Sequence, residues 1–330
     1  MRFQVLASLG ELDPQEFDRL DDSCGPVGSY ARLVQLEQDP RWSAEYLCAR
    51  ESGLLLAAVP LYRLKRGGWP DPSYDPAGWG LHQSAMPGSS TIVGGRSGLL
   101  SSVHVAAAIS GTRRHLRLIE ELVAREPRES LILPFVAESE LAPWAAVLGS
   151  RLRSQLLGAD ARFDGHLAGQ PFSRKVRQTL TSDQRTADRC GVESAVRTWS
   201  EVRASAAGLI AANSKAKGLP DAEQLVDFRV RQWEACEGAS VVVLTAQARG
   251  EYGVTVGVIW RDWMDLQEIG ITGARSELRR VLYAQLLFHL PLRLARQRGV
   301  KHIRAGLTAE QPKALRGASF VPLAGGVVHD

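Results

Sequence analysis

Cysteine, methionine, lysine and long apolar runs are all scarce in this sequence. The four cysteines, Cys24, Cys48, Cys190 and Cys236, are scattered with no CxxC and no Cys/His pair at metal-ligand spacing. That argues against a disulfide scaffold and a zinc site, and no metal is expected. The longest apolar stretches, around Leu54–Leu61 and Val241–Leu244, fall far short of the roughly 20 residues a spanning helix needs. The N-terminal MRFQVLASLGELD has no apolar signal segment, so a cytoplasmic location is the expectation. No Ser-His-Asp or Cys-His constellation stands out either, so nothing points to a covalent nucleophile.

What is present suits a globular protein. The 330 residues are 45% hydrophobic and 23% charged, enough to bury sizeable cores, and the length suits two domains. The net charge of +4 is unevenly placed: residues 1–150 carry 14 Lys+Arg against 18 Asp+Glu, and residues 151–330 carry 26 against 18. Arginine supplies 34 of the 40 basic residues, so the position of the charge is more informative than its chemistry.

Along the chain, Phe3–Leu9 reads as a strand, and Asp13-Pro14 opens a helix as N-cap and first helical residue. A helix over Ser29–Gln38 precedes two strands, Glu45–Arg50 and Leu54–Leu64, joined by a Gly-bearing turn. Residues 67–98 are dense in Gly, Pro and Ser and read as a long loop, a candidate substrate wall. A helix at Arg113–Arg125, a buried strand at Leu131–Val136 and a helix at Glu140–Leu148 complete the first half. The second opens on a helix, Ser173–Cys190, stopped by Gly191. It continues through a strand near Val192–Thr198, helices at Ser200–Lys217 and Asp221–Glu237, and strands at Ser240–Ala248, Tyr252–Ile259 and Trp263–Thr272. The longest helix, Ser276–Arg298, carries an apolar stripe through Leu278, Leu282 and Leu286 that includes His289, read as a core histidine. A strand at His302–Ala305, a short helix at Glu310–Leu315 and a strand near Phe320–Val328 end the chain. Both halves run helix, hairpin, strand, helix, strand, and ARESGLLLAAVPLYRL and AQARGEYGVTVGVIW are the same hairpin twice.

Two segments, SRKVRQTLTSDQRTADRCGV and LYAQLLFHLPLRLARQRGVKHIRAGLTAEQPKALRGASFVPL, resemble the FemAB-like branch of the GNAT superfamily, the tandem-GNAT aminoacyl- and acyltransferases. The first looks like that family's basic inter-domain helix, the second like its closing helix, strand and lysine-bearing turn. The resemblance covers most of the second half and reaches the first only through topology. It implies an α/β (α+β) fold of two tandem GNAT-like domains with mixed sheets flanked by helices. Residues 1–160 would be the acceptor side, and 161–330, with the basic helix, the donor side. It implies transfer of an acyl or aminoacyl group to an amine, from aminoacyl-tRNA or from acyl-CoA.

The residues bear on that choice. A GNAT domain holds the CoA pyrophosphate on a Gly-rich turn whose bare N–H groups open a helix. Here the corresponding segment, Ala274-Arg275-Ser276-Glu277-Leu278-Arg279-Arg280, lacks both glycines and places Glu277 in the first turn. A second Gly-rich run, Gly94-Gly95-Arg96-Ser97-Gly98, lacks the spacing and reads as a plain turn or a phosphate loop. Residues 275–316 carry ten basic residues against Glu277 and Glu310, and Ser173–Cys190 adds Arg174, Lys175 and Arg177 near its start. Phosphate contacts dominate nonspecific nucleic-acid affinity, so Arg174, Lys175, Arg177, Arg275, Arg279, Arg280 and Arg316 are candidate donor or tRNA contacts. They read equally as solvated faces.

Aminoacyl transfer needs a deprotonated amine, a stabilised oxyanion and a protonated leaving oxygen. Glu268, a carboxylate inside a strand where acids are depleted, is a candidate base or an exposed edge residue. Lys313 matches the position at which the related aminoacyltransferases carry a lysine toward the reacting ester; otherwise it is a solvent-facing lysine. Tyr283 is a candidate general acid or a core aromatic. Tyr62, Arg63, Tyr74, Asp75 and Trp79 are candidate acceptor contacts, with Asp75 available to a cationic amine. The expected activity is an aminoacyl-tRNA-dependent aminoacyltransferase, with no bound cofactor, forming an amide or ester on a small amine or peptide-like acceptor in specialised metabolism. An acyl-CoA N-acyltransferase and a noncatalytic RNA- or partner-binding module are the alternatives.

Overall fold

A computed structural model describes residues 1–20, 23–81, 89–126, 130–165, 172–273 and 277–328. The chain folds into two compact units, Met1–Ala159 with Val321–Asp330, and Asp160–Phe320. The division at residue 160/161 read from the sequence therefore misses the last ten residues, which belong to the first unit.

In chain order the first unit contains β1 (Arg2–Leu6), α1 (Pro14–Phe17), α2 (Tyr30–Glu37), β2 (Trp42–Glu51), β3 (Leu54–Leu64), β4 (Ser90–Val93), α3 (Arg113–Arg125), β5 (Ser130–Ala137) and α4 (Leu141–Leu148). Strand β6 (Leu152–Asp164) leads into the second unit. There follow α5 (Arg174–Cys190), β7 (Glu193–Arg197), α6 (Trp199–Lys215), α7 (Glu223–Glu234), β8 (Ala239–Ala248), β9 (Glu251–Trp260), β10 (Trp263–Ile271), α8 (Glu277–Ala284), α9 (Leu290–Arg298), β11 (His302–Arg304) and α10 (Glu310–Ala314). Strand β12 (Ser319–Val328) returns the chain to the first unit.

The strand order β1-β2-β3-β4-β5-β12 in the first unit is matched by β7-β8-β9-β10-β11-β6 in the second. Each runs as an antiparallel meander of four strands, then a parallel pair, β4/β5 or β10/β11, then an antiparallel closing strand. The duplication suspected from two hairpins is thus a property of whole sheets. The hairpins share turn chemistry too: Ser52-Gly53 and Arg249-Gly250 both place two successive residues at positive φ, as a two-residue type I′ turn requires.

Helices cover both faces of each sheet. In the second unit, α6 and α7 bury Trp199, Ala206, Ile210, Val226 and Val230 against Val243, Val254 and Val256. On the opposite face, Leu282, Leu286, Phe288, Leu290 and Leu294 pack on Leu244, Met264, Leu266 and Ile303. The helix read as continuous over Ser276–Arg298 has a π-helical turn at Gln285–His289 between α8 and α9, a wider coil that periodicity does not signal. Two strands escaped the sequence reading. β4 is a buried tetrapeptide within the segment read as loop, and β6 is too polar along its first half to show a strand pattern.

Candidate functional site

The two sheets differ where the parallel pair parts. In the second unit β10 and β11 pair only from Trp263↔His302 to Asp265↔Arg304, after which β11 ends and β10 continues to Ile271. Side chains meet the carbonyls beyond that point. Asn213 Nδ2 donates to the Ile269 carbonyl at 2.9 Å, and Arg279 donates to the carbonyls of Ile271, Thr272 and Gly273 and to Asn213 Oδ1. In the first unit the matching gap is filled by the chain itself. The segment after β4 returns beside β3, with Ala58 N donating to the His104 carbonyl, Ala106 N to that of Leu56, and Ser101 N to the Phe135 carbonyl on β5.

The sequences leaving the two equivalent strands are also related. Ile92-Val93-Gly94-Gly95-Arg96-Ser97-Gly98-Leu99 and Ile271-Thr272-Gly273-Ala274-Arg275-Ser276-Glu277-Leu278 share Ile, Gly, Arg, Ser and Leu in register. In the first unit Arg96 is buried between Trp42 and Tyr62, its guanidinium carbon 4.9 and 5.3 Å from their ring centroids, and it donates to the Leu36 carbonyl at 2.6 Å. The GGRSG run is therefore an inward-packed turn rather than a phosphate loop, and Arg275 lies outside the described residues.

At the point of parting sits a buried ionic cluster. Arg304 donates to Asp160 Oδ1 at 2.8 Å and to Asp265 Oδ2 at 3.1 Å, all three side chains being at most 4% exposed, and Arg162 donates to Asp160 Oδ2 at 3.0 Å. Burial opposes the charge on Arg304, but Asp265 and Asp160 outweigh it and hold its pKa above the ordinary value. Burial raises that of Asp265. Lys313 is buried beside the cluster, contrary to the solvent-facing alternative: Nζ donates to the carbonyls of Ala305 and Gly306, the two residues after β11, at 2.6 and 2.7 Å. Burial pushes its pKa down to about 8, with the Asp160 charge opposing and Arg304 and Lys217 reinforcing.

Glu268 lies on the α6–α7 face because a bulge between Leu266 and Glu268 resets the alternation and pairs it with Val256. It is not an exposed edge residue. Its Oε1 accepts from Arg229 Nε at 2.6 Å, and Arg229 grips both oxygens of Asp221 at 3.0 and 2.8 Å. Burial raises the Glu268 pKa against the pull of Arg229. Lys217, exposed in the turn after α6, is held below the usual lysine range by partial desolvation and by Arg279, with Glu268 opposing.

A cavity of about 740 Å³ opens among Arg279, Arg280, Tyr283, Gln311, Pro312, Leu315 and Arg316. Tyr283 packs edge-on against Phe288 with its pKa raised by burial, and Arg280 is exposed. Arg316, a candidate donor contact, is paired: both Asp183 oxygens accept from it at 2.7 and 2.9 Å, and it lies over the Phe288 ring. His289 Nε2 stands 3.7 Å from Asp183. Arg174, Lys175 and Arg177 are exposed on α5, as a polyanion contact requires.

Among the candidate acceptor residues the two tyrosines are corrected by their burial. Tyr62 is fully buried with its pKa pushed up to about 12 by desolvation, and Arg63 is paired with Glu45 and Glu126. Tyr74 is buried and accepts from Leu99 N, Asp75 caps a short 3-10 turn through Ala77 N, and Trp79 donates to the Ser73 carbonyl while packing on Phe135. All five make contacts within the first unit; Tyr62 and Tyr74 are buried, whereas Arg63, Asp75 and Trp79 remain partly exposed. Sequence reasoning missed Asn213, Lys217, Arg229 and the Asp160–Arg304–Asp265 cluster; one acid inside a strand, Asp265, was the legible signal, since Asp160 lies in β6, which shows no strand pattern.

The chain matches no protein-family model and no curated protein. Among solved structures it resembles FemX, at 9% identity over 100% of this chain and 98% of that one, with a TM-score of 0.64. The chain has the tandem GNAT fold. A tandem GNAT protein from the clavulanic acid biosynthesis pathway, solved without acetyl-CoA, aligns at 15% identity over 98% and 97% of the two chains, TM-score 0.52. A conserved protein of unknown function from Bacteroides thetaiotaomicron aligns at 11% identity over the whole of both chains, TM-score 0.58.

Proposed function

We propose that the chain is an acyltransferase of the tandem GNAT fold whose donor is aminoacyl-tRNA and whose acceptor is a small amine or peptide-like molecule. The observation that carries this reading is the opening between β10 and β11, with Lys313 gripping the two carbonyls where the strands part. The acceptor nitrogen attacks the ester carbonyl, the C–N bond forms, and the C–O bond to the terminal ribose breaks. The amine proton passes to Glu268 or to a basic group of the substrate, and the departing ribose oxygen takes up a proton, with Tyr283 as the candidate donor. Lys313 carries positive charge toward the oxyanion. The exposed cations Arg174, Lys175, Arg177 and Arg280 suit the phosphates of a nucleic-acid donor.

An acyl-CoA donor is favoured by one observation, the arginines 279 and 280 around the cavity at the start of α8. Incubation with charged total tRNA or with acetyl-CoA and a panel of amines, with and without ribonuclease, separates the two. Ribonuclease-sensitive product is expected; product that survives ribonuclease and requires CoA overturns the tRNA donor, and no transfer from either leaves a binding module. Arg174→Glu, Lys175→Glu and Arg177→Glu together are expected to weaken tRNA binding and flatten the slope of log K against log salt by about 2–3, since each lost phosphate contact removes about 0.7–0.9. An unaltered slope returns α5 to a solvated face.

A further inference from the structure

Glu268 lies beyond the last β10/β11 pair, on the α6–α7 face, and two further residues decide how much of its charge is available there. Arg229 on α7 gives Glu268 a single bond, from Nε to Oε1 at 2.6 Å. Its two terminal nitrogens go instead to Asp221, just before α7, at 3.0 and 2.8 Å. Asp221 is fixed in turn by the Ala222 N–H at 2.9 Å, and its side chain is 4% exposed. Burial disfavours the Asp221 charge, but the bonds from Arg229 hold its pKa below the ordinary carboxylate value, so it remains an ionised partner.

An arginine fork ordinarily grips one carboxylate through two parallel bonds and cancels its charge. Here the fork is spent on Asp221. One guanidinium between two carboxylates leaves a net charge of one negative unit on the cluster. Glu268 Oε2 accepts no hydrogen bond among the described residues and is not sealed from solvent, the side chain keeping 16% of its surface exposed. Lys217, exposed in the turn after α6, attracts the same carboxylate from outside the cluster. A carboxylate braced at one oxygen and open at the other suits a ligand that brings both positive charge and N–H donors.

We propose that Asp221 is a positioning residue for the acceptor: by occupying the fork of Arg229 it confines that guanidinium to one oxygen of Glu268 and leaves the other oxygen, with its charge, to a protonated primary amine. The amine site stands on these hydrogen bonds; its use in transfer rests on the transferase reading.

The full chain, without donor, is titrated calorimetrically with butylamine and ethylenediamine and with their fully N-acetylated derivatives, at about pH 8, where the amines are protonated and carboxylates ionised. The amines are expected to bind at least about tenfold more tightly than the neutral amides. Glu268→Gln keeps the Arg229 bond and is expected to bring the two to within about threefold. Asp221→Asn, nearly isosteric, turns the fork of Arg229 onto both oxygens of Glu268 and is expected to abolish the amine preference although Glu268 is intact. Removing that arginine too, in Asp221→Asn/Arg229→Met, is expected to restore the preference, which a merely structural role for Asp221 does not allow. The Glu268 carboxyl, followed by carbon NMR, is expected to titrate at lower pH in Asp221→Asn than in the wild type, because Arg229 holds it more fully and the repulsion of Asp221 is gone, with Lys217 unchanged. This titration decides if the double variant does not fold. Amides that bind as well as amines, a preference that survives Glu268→Gln or Asp221→Asn, no recovery in the folded double variant, or an unshifted Glu268 titration each overturn the proposal. Amine-selective binding with no transfer from any donor retains the site and rejects the transferase reading. Transfer to amines that neither Glu268→Gln nor Asp221→Asn alters retains that reading and rejects the site.

Discussion

Lys313→Met is expected to lower kcat/KM for transfer by about 10²–10³-fold, the usual cost of removing one charge-stabilising donor from an acyl-transfer site. Methionine keeps most of the buried stem, so the variant separates charge from packing. It removes the Lys313 bond to the Ala305 carbonyl and leaves that of Gly306 only the Ala161 N–H, at a folding cost of about 1–3 kcal/mol, which circular dichroism and a melting curve measure independently of turnover. The pH profile is the sharper readout. With its pKa at about 8, Lys313 is a cation below that pH and neutral above it, so wild-type kcat/KM is expected to fall tenfold per unit above about pH 8. Lys313→Met, and the permanently charged Lys313→Arg, are expected to lose that limb. Stability moves the other way. The unfolded lysine keeps its proton up to about pH 10.5, so between about 8 and 10.5 the unfolded chain binds more protons and wild-type stability rises with pH. The penalty is complete below about 8 and gone above about 10.5, and Lys313→Met is expected to flatten that rise. A folded Lys313→Met with unchanged kcat/KM removes the lysine from the chemistry.

Periodicity, caps and turn residues reveal the second half nearly element by element, because its helices and strands are long and bounded by Gly191, Gly250 and Gly299. The missing strands have physical reasons. β4 is too short for alternation to register, and β6 carries Arg153, Ser154 and Gln155 in succession. Side-chain partnerships are another matter. Tyr62, Tyr74 and Trp79 look like a binding wall in a Gly- and Pro-rich context, yet residues far along the chain pack on them: Arg96 over Tyr62, Phe135 against Tyr74 and Trp79. Glu268 stands out in the sequence as an acid within a strand, but neither its arginine partner nor the bulge that turns it toward α6 and α7 is legible there. Lys217 shows no sequence signal at all; its environment is made by β10 and α8. Tertiary contact, rather than any local pattern, decides which charged residues are spent on structure and which remain for a ligand.

Arg304→Leu tests that division from the structural side and is expected to carry the largest stability cost, about 3–5 kcal/mol, the usual penalty for removing one partner of a buried ion pair. Against a total of about 5–15 kcal/mol for an ordinary domain, this is a large share and lowers Tm accordingly. The loss has two sources: the 2.8 and 3.1 Å bonds disappear, and Asp160 and Asp265 are left to repel each other. Arg162, less buried, holds Asp160, so the uncompensated charge falls on Asp265, whose pKa burial already raises. A carboxyl with a raised folded pKa is better tolerated protonated, so the variant is expected to regain more stability on acidification than the wild type, in which Arg304 offsets part of the same shift. Replacing Arg304, Asp160 and Asp265 together by apolar residues is expected to be less costly than Arg304→Leu alone, because the desolvation of three charges is removed with their attraction. If the triple variant instead melts lower than Arg304→Leu, the cluster contributes net stability. Either result bears on the site, since the carbonyls that Lys313 grips belong to the two residues after Arg304: Arg304 holds β11 against β10 and β6, and Lys313 holds the chain where β11 lets go.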